Sequence, residues 1–248
     1  MNITRSFVAL FALLSISFLV GSNYAAPEPA KSPSSAAIEP ASAHRVTKLV
    51  YKPPVGAGNI PMRVSGGARG GEIAGTSLLA LVPDHVALTT QAQPSLFWFQ
   101  SRPAKAKLEL TLVEPRKAKP LLSLTSSQAD KAGMHRVKLA KHNIELQPDV
   151  LYEWNVAIVP DAENRSKDII AKGVIKRVKA SADLGKSIEN ADDLGRAAAY
   201  AEAGIWYDAL EAISDAIDAH PADASLHMQR ASLLKQVGLP EAAAGDKR

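Results

Sequence analysis

Ser232-Leu233-Leu234-Lys235 sets a hydroxyl nucleophile one helical turn from an amine base, the spacing of one class of serine acyl-transfer sites. The chain lacks the Lys-Thr-Gly and Ser-Asp-Asn companions that such a site needs, and Leu233-Leu234 fits a helix core better. No Gly-x-Ser-x-Gly elbow occurs. Gly70-Gly71-Glu72-Ile73-Ala74-Gly75-Thr76 has glycines spaced as in a phosphate loop, but it has no lysine. A strand rather than a helix is expected after it, so a phosphate would lose its main donors. A backbone anion nest beside Arg63 and Arg69 is the remaining chemistry there; the plainer reading is a loop laid along the fold. Histidines stand at 44, 85, 135, 142, 220 and 227, none paired at i, i+4 with a Glu. Zinc needs three or four convergent ligands. Cysteine is absent, which excludes thiolate metal sites, iron–sulfur clusters and a cysteine nucleophile. The expectation is a protein that is not an enzyme, with no catalytic residues, no metal and no cofactor.

Aromatic side chains are the other candidates for contact with a ligand. Trp98, Tyr152 and Trp154 could form a sugar-stacking platform, but alternation within apolar strands assigns them to a core. Tyr200, Trp206 and Tyr207 cluster where a turn between two helices is expected, and they are the candidate partner-binding residues.

These residues must be positioned by 248 residues that are 46% apolar and 22% charged, enough for one good core and a small second unit. Residues 1–25 fit a cleaved signal peptide: Arg5, then the apolar stretch from Ser6 to Val20, then small residues. That stretch is shorter than the ~20 residues of a membrane span, so no stable span is expected after cleavage. In residues 26–44, fourteen of nineteen are Ala, Ser or Pro, the composition of a disordered linker. Residues 45–180, with a glycine-rich stretch at 56–75, alternate apolar and polar positions. Leu108, Leu110 and Leu112 alternate with Glu109 and Thr111; Tyr152, Trp154, Val156 and Ile158 do the same against Glu153 and Asn155. Phe97-Trp98-Phe99 is apolar on both faces, as in a central strand. Further strands are expected at 46–51, 78–82, 86–90, 120–124, 134–139 and 169–178. The fold class expected is mainly β: an antiparallel immunoglobulin- or fibronectin-III-like sandwich, followed at 181–248 by a small α-helical tail.

The tail is alanine-rich and carries a repeat signal. Gly204 and Gly238 are 34 residues apart, and at that offset Tyr200 matches Leu234, Ala197 matches Ala231 and Ala209 matches Ala243. Gly204-Ile205-Trp206-Tyr207-Asp208-Ala209-Leu210, with Ile213, Ala216 and Pro221, resembles the second half of a tetratricopeptide repeat; Asp193 stands where a Trp is usual. One repeat and a truncated second expose an apolar face that must be covered. In the β region, Leu146-Gln147-Pro148-Asp149-Val150-Leu151-Tyr152-Glu153-Trp154 resembles the turn into the sixth strand of fibronectin type III modules.

Several motifs occur in one order: Gly66-Gly67-Ala68-Arg69-Gly70, Leu78-Leu79-Ala80-Leu81-Val82-Pro83, Pro94-Ser95-Leu96-Phe97-Trp98-Phe99, and Leu151-Tyr152-Glu153-Trp154. Asn164-Arg165-Ser166, Gly173-Val174-Ile175-Lys176-Arg177-Val178 and Ala199-Tyr200-Ala201-Glu202-Ala203-Gly204-Ile205-Trp206-Tyr207-Asp208-Ala209-Leu210 follow. Together, over roughly residues 50–240, the chain resembles the domain-of-unknown-function 928 family. The resemblance implies an exported protein frequent in cyanobacteria, and it supplies no catalytic residues. Many members carry a cysteine near the Gly-Arg-Gly motif and another after the Tyr-x-Trp strand; this chain has neither.

Residues 45–181 carry 21 basic and 11 acidic groups, and residues 182–248 carry 6 and 12. Docking of an acidic tail on a basic β region follows from that asymmetry. An exported chain is not expected to meet nucleic acid. The functional expectation is a bacterial, periplasmic or secreted, non-enzymatic interaction or scaffold module of the cell envelope. Its partner is a protein, bound around Tyr200, Trp206 and Tyr207. The alternative is a module that binds envelope polysaccharide or an anionic polymer through sandwich aromatics and a basic face.

Overall fold

The computed structural model describes residues 48–56, 63–67, 73, 75–115, 117–126 and 129–246. The expected signal peptide at 1–25, the linker at 26–44 and most of the glycine-rich stretch lie outside the described residues. Within them, the alternating segments become strands: β2 (Ser77–Ala80), β3 (Ala87–Thr89), β4 (Ser95–Gln100), β5 (Lys107–Val113) and β6 (Leu122–Ser126). β7 (Gly133–Lys138), β8 (Leu151–Val159) and β9 (Ile169–Arg177) complete them, and a short β1 (Ser65–Gly67) precedes them. One sheet runs β1-β2-β4-β7 and the other β3-β9-β8-β5-β6.

Two features depart from the expectation of a mainly β, antiparallel fold. Helix and strand take nearly equal shares, 32% and 30%, so the fold is mixed α and β. β3 pairs parallel to β9, with Ala87 opposite Ile175 and Thr89 opposite Arg177. A tight turn forces antiparallel pairing, but these two strands are far apart in sequence and meet at a sheet edge, where either direction is open. Alternation along one strand carries no information about that choice.

β4 lies between β2 and β7, and all six of its residues are buried. The two faces have different covers. Trp98 and Gln100 lie beside Leu108, Leu110 and Leu124 of the second sheet. The Phe97 ring lies 5.7 Å from the Arg136 guanidinium, and the Phe99 ring packs on Gly245 of the last helix. β1 belongs to the glycine-rich stretch that reads as a loop. A Cβ on Gly66 would stand 2.6 Å from the Ile170 carbonyl oxygen, so only glycine lets this strand pass so close to β9.

Five helices follow: α1 (Ala182–Glu189), α2 (Asp193–Glu202), α3 (Trp206–Ala219), α4 (Ala224–Gln236) and α5 (Pro240–Gly245). Ser181, Asp192 and Asp223 cap α1, α2 and α4 by accepting from the backbone N–H of Leu184 (3.1 Å), Gly195 (2.7 Å) and Ser225 (2.8 Å). The 34-residue spacing is a repeated turn. Gly204 and Gly238 sit at φ +77° and +72°, a left-handed conformation that favours glycine. After each, Ile205 N–H bonds Tyr200 O at 2.9 Å and Leu239 N–H bonds Leu234 O at 3.1 Å. Residues 48–51 form no strand. Leu49 and Tyr51 instead give their N–H groups to Gln229 Oε1 (3.1 Å) and Gln236 Oε1 (2.9 Å) of α4. His44–Arg248 is one compact unit, and one hydrophobic core runs through both sheets and the helices. No helix among the described residues is long and apolar enough to cross a membrane.

Candidate functional site

α3 is buried almost all round, ten of its fourteen residues being inaccessible. Trp206 and Tyr207, both 0% exposed, sit at its start. Trp206 Nε1 donates to Leu81 O at 2.8 Å, and its ring meets Tyr51 edge-on at 5.0 Å. Trp154 Nε1 donates to Tyr207 Oη at 2.7 Å, and Tyr207 O–H donates to Val174 O at 3.2 Å. Two of the three candidate partner-binding residues, Trp206 and Tyr207, therefore form the seam between helices and sheets, with their polar atoms used inside. Tyr200 is half-buried and keeps some surface; its hydroxyl meets the Thr90 side chain, and burial raises its phenol above the ordinary value. Tyr152 and Trp154, of the sugar-platform reading, are fully buried.

α3 also carries two buried carboxylates that no sequence motif marks. Asp208 accepts from Thr89 Oγ1 (2.5 Å), from Thr90 N–H (2.9 Å) and from Thr90 Oγ1. Desolvation nevertheless pushes its carboxyl up to about 6. Glu211, one turn on, accepts from Ser95 Oγ at 2.6 Å. Farther along, Arg136 of β7 bridges Asp215 and Asp218, each at 2.6 Å, and Lys138 reaches Asp215 at 3.2 Å. Every turn of α3 is thus tied to the sheets. The pairing of basic strand residues with acidic helix residues follows the charge asymmetry of the two segments.

The feature shaped to receive a ligand lies elsewhere, where the two sheets part between β6 and β7. A cleft of about 340 Å³, within the size range of small-molecule sites, is lined by Trp98, Gln100, Leu108, Leu110, Leu124 and His135, among others. Strand register builds it. Trp98 and Gln100 share one face of β4, His135 stands opposite Trp98 on β7, and Leu110 pairs with Leu124. The Trp98 and His135 rings stack at 5.1 Å with planes 8° apart. His135 Nε2–H donates to Lys131 O at 3.0 Å, and burial lowers the pKa of the ring. Trp98 Nε1 and Gln100 Oε1 are buried, and neither has a hydrogen-bond partner among the described residues. Both atoms are closed off from solvent, so they lie behind the accessible surface of the cleft.

The other sequence candidates do not converge. Ser232 and Lys235 lie on α4, one turn apart. No group of three His, Cys, Asp or Glu residues able to hold a metal occurs among the described residues. Most of the proposed anion nest, Arg69 included, lies outside them. Arg63 is engaged in structure, donating to Val82 O and Val237 O at 2.9 Å each.

The family model described as Domain of Unknown Function (DUF928) matches residues 64–246. The chain belongs to that family. The DUF928 region takes in both sheets, all five helices, the cleft and both aromatic residues of the α3 seam. None of the curated proteins compared with the chain matches it. Among solved structures, a multi-domain immunophilin from Arabidopsis thaliana aligns over 79% of this chain and 97% of its own. At 7% identity and a TM-score of 0.21, that likeness carries no argument about fold or activity.

Proposed function

We propose that this DUF928 protein is an exported, non-catalytic binding module of the cell envelope, periplasmic or secreted, whose cleft between the sheets holds a small ligand. The observation that carries the reading is the cleft itself, where the stacked rings of Trp98 and His135 stand beside Leu108, Leu110 and Leu124. The sequence pattern at residues 1–25 supports export. A fibronectin-like sandwich is supported by the Tyr152 hydroxyl, which accepts from Gln147 N–H at 3.0 Å at the entry to β8. Compared with the sugar-platform reading, the ligand moves from an aromatic surface to a cleft, and of the three aromatics only Trp98 lines it.

The test is recovery of bound small molecules. The full chain is purified from its native envelope beside a Leu124→Trp variant, which fills the cleft, and both are extracted for mass spectrometry. A molecule recovered from the first and lost from the second supports the reading; equal recovery, or none from either, refutes it.

A second reading keeps a protein partner and rests on the tetratricopeptide-like turn that recurs at Gly204 and Gly238, and on Met228, 65% exposed on α4. With Trp206 and Tyr207 sealed inside, the contact surface narrows to Tyr200 and the outer faces of α2 and α4. Deleting residues 182–248 would open the sheet core, so Met228→Glu is the cleaner test: it should abolish partner capture while leaving the thermal midpoint unchanged.

A further inference from the structure

Residues 48–52 lie on the helices as an extended peptide. Leu49 and Tyr51 are buried while Lys48, Val50 and Lys52 are exposed, though the segment belongs to neither sheet. Helices hold its main chain instead. Gln236 Oε1 accepts from Tyr51 N–H at 2.9 Å and Gln236 Nε2 donates to Leu49 O at 2.9 Å, so one side-chain amide grips the peptide as a neighbouring strand would. Gln229, seven residues earlier on the same face of α4, accepts from Leu49 N–H at 3.1 Å, and Lys52 N–H donates to Ala201 O of α2 at 3.0 Å. Main-chain bonds do not depend on residue type, so the buried side chains set the preference. Leu49 is fully enclosed. The Tyr51 ring meets Trp206 edge-on at 5.0 Å and stacks with His85 at 5.9 Å. His85 Nδ1–H donates to Val86 O at 2.9 Å, which leaves Nε2 to accept from the Tyr51 hydroxyl at 3.2 Å.

We infer that α2, α4 and the start of α3 form a groove for an extended peptide with a leucine and a tyrosine two residues apart, which residues 48–52 fill in cis until a partner protein's segment displaces them. The inference rests on the protein-partner reading above and names the chemistry of the partner. The groove and its filling have different origins in the chain. His85, Ala201, Trp206, Gln229 and Gln236 all lie within the family match at residues 64–246, whereas residues 48–52 lie outside it. The groove is thus part of the DUF928 region, and its occupant is not. The floor is shaped to a main chain: a Cβ on Gly204 would stand 2.8 Å from Lys52 O. At the rim, Glu202 pairs with Lys52 at 2.5 Å, which favours a basic residue after the tyrosine. A phenylalanine in place of the tyrosine would leave His85 Nε2 unpaired.

The probe is a synthetic peptide of residues 46–54. Fluorescence anisotropy follows its binding to the full chain carrying Leu49→Ser and Tyr51→Ser, whose own segment has lost both anchors. In the ¹⁵N-labelled native chain, the Leu49 and Tyr51 amide signals report displacement, because their bonds to Gln229 and Gln236 pass to the unlabelled peptide. A short tether holds the native segment at an effective concentration of about 1 mM, so a peptide that binds the variant with a Kd of about 10 µM should bind the native chain about a hundredfold more weakly. The same peptide with Tyr51→Phe should bind the variant about tenfold more weakly, the worth of one hydrogen bond. With Leu49→Ser and Tyr51→Ser it should bind neither protein. If the variant unfolds, a cooperative melt regained with the native peptide and not with the doubly substituted one gives the same support, and no regain overturns the groove. Native-chain amides that stay still at several millimolar peptide make the segment a permanent part of the core and overturn displacement. Equal affinity for both proteins, or binding of the doubly substituted peptide, places the contact elsewhere and overturns the groove. The Met228→Glu capture assay is read separately: capture lost there with no peptide bound overturns the groove alone and leaves the protein-partner reading standing.

Discussion

Asp208 is an ionisable group placed where water does not reach, at 1% exposure, and its carboxyl is raised from 3.8 to about 6 by desolvation against three hydrogen bonds that favour its charge. A raised carboxyl binds a proton more readily folded than unfolded. Its contribution is therefore full below pH ~4 and is lost as pH rises through about 6, on the order of 3 kcal/mol across that window. Asp208→Asn cannot titrate. The difference in unfolding free energy between Asp208→Asn and the native chain should shift by about this amount between pH 4 and pH 7, in favour of Asn at the higher pH. Urea midpoints at four pH values would show it, and a pH-independent difference would contradict the assignment. Exposed carboxylates such as Asp161 and Glu202, lowered by bonds to Lys167 and Lys52, act in the opposite sense in both proteins and cancel in the comparison.

At the scale of elements, α3 is a pin through the molecule. Trp206 and Tyr207 in its first turn place two aromatic rings and three buried hydrogen bonds against the sheets. Trp206→Ala should lower stability by ~3–5 kcal/mol, the cost of truncating a large buried aromatic. Tyr207→Phe keeps the ring and orphans the Trp154 indole N–H, so about 1–3 kcal/mol is expected. The two repeat turns should not respond alike. At Gly204 an added Cβ would lie 2.8 Å from Lys52 O, whereas at Gly238 its nearest neighbour is the flexible end of Arg63 at 3.7 Å. Both substitutions pay roughly 1 kcal/mol for positive φ, so Gly204→Ala must be the more damaging of the two. Guanidinium denaturation of the pair gives the order directly, and the reverse order would mean that the chain near Lys52 gives way.

For the whole molecule, a shared core predicts one cooperative transition. Far-ultraviolet circular dichroism, which follows the helices, should melt together with tryptophan fluorescence, which follows Trp98, Trp154 and Trp206 in both segments. Separate transitions would show that the seam on α3 does not couple helices to sheets. Salt should matter little despite the charge asymmetry. The pairs of Asp218 with Arg136 and Glu202 with Lys52 are partly or largely exposed, and such pairs contribute about 0–1 kcal/mol each.

By itself the sequence determined most strands, the onset of helix after residue 181, the 34-residue turn and the membership of the family. These depend on local rules: alternation for a strand with one buried face, capping side chains, and a glycine where φ is positive. Tertiary structure decided the rest. Phe97, Trp98 and Phe99 read alike in sequence, yet Trp98 faces the cleft while Phe99 faces α5, because different elements cover the two sides of β4. Trp206 and Tyr207 read as an interaction surface until the sheets closed over them. The parallel β3–β9 pair, the strand hidden in the glycine-rich stretch and the raised carboxyl of Asp208 arise from residues far apart in the chain. Burial and hydrogen-bond partnership are properties of the neighbours, and the neighbours of Trp98 and Gln100 that shape the cleft come from β5, β6 and β7, which only the folded chain brings together.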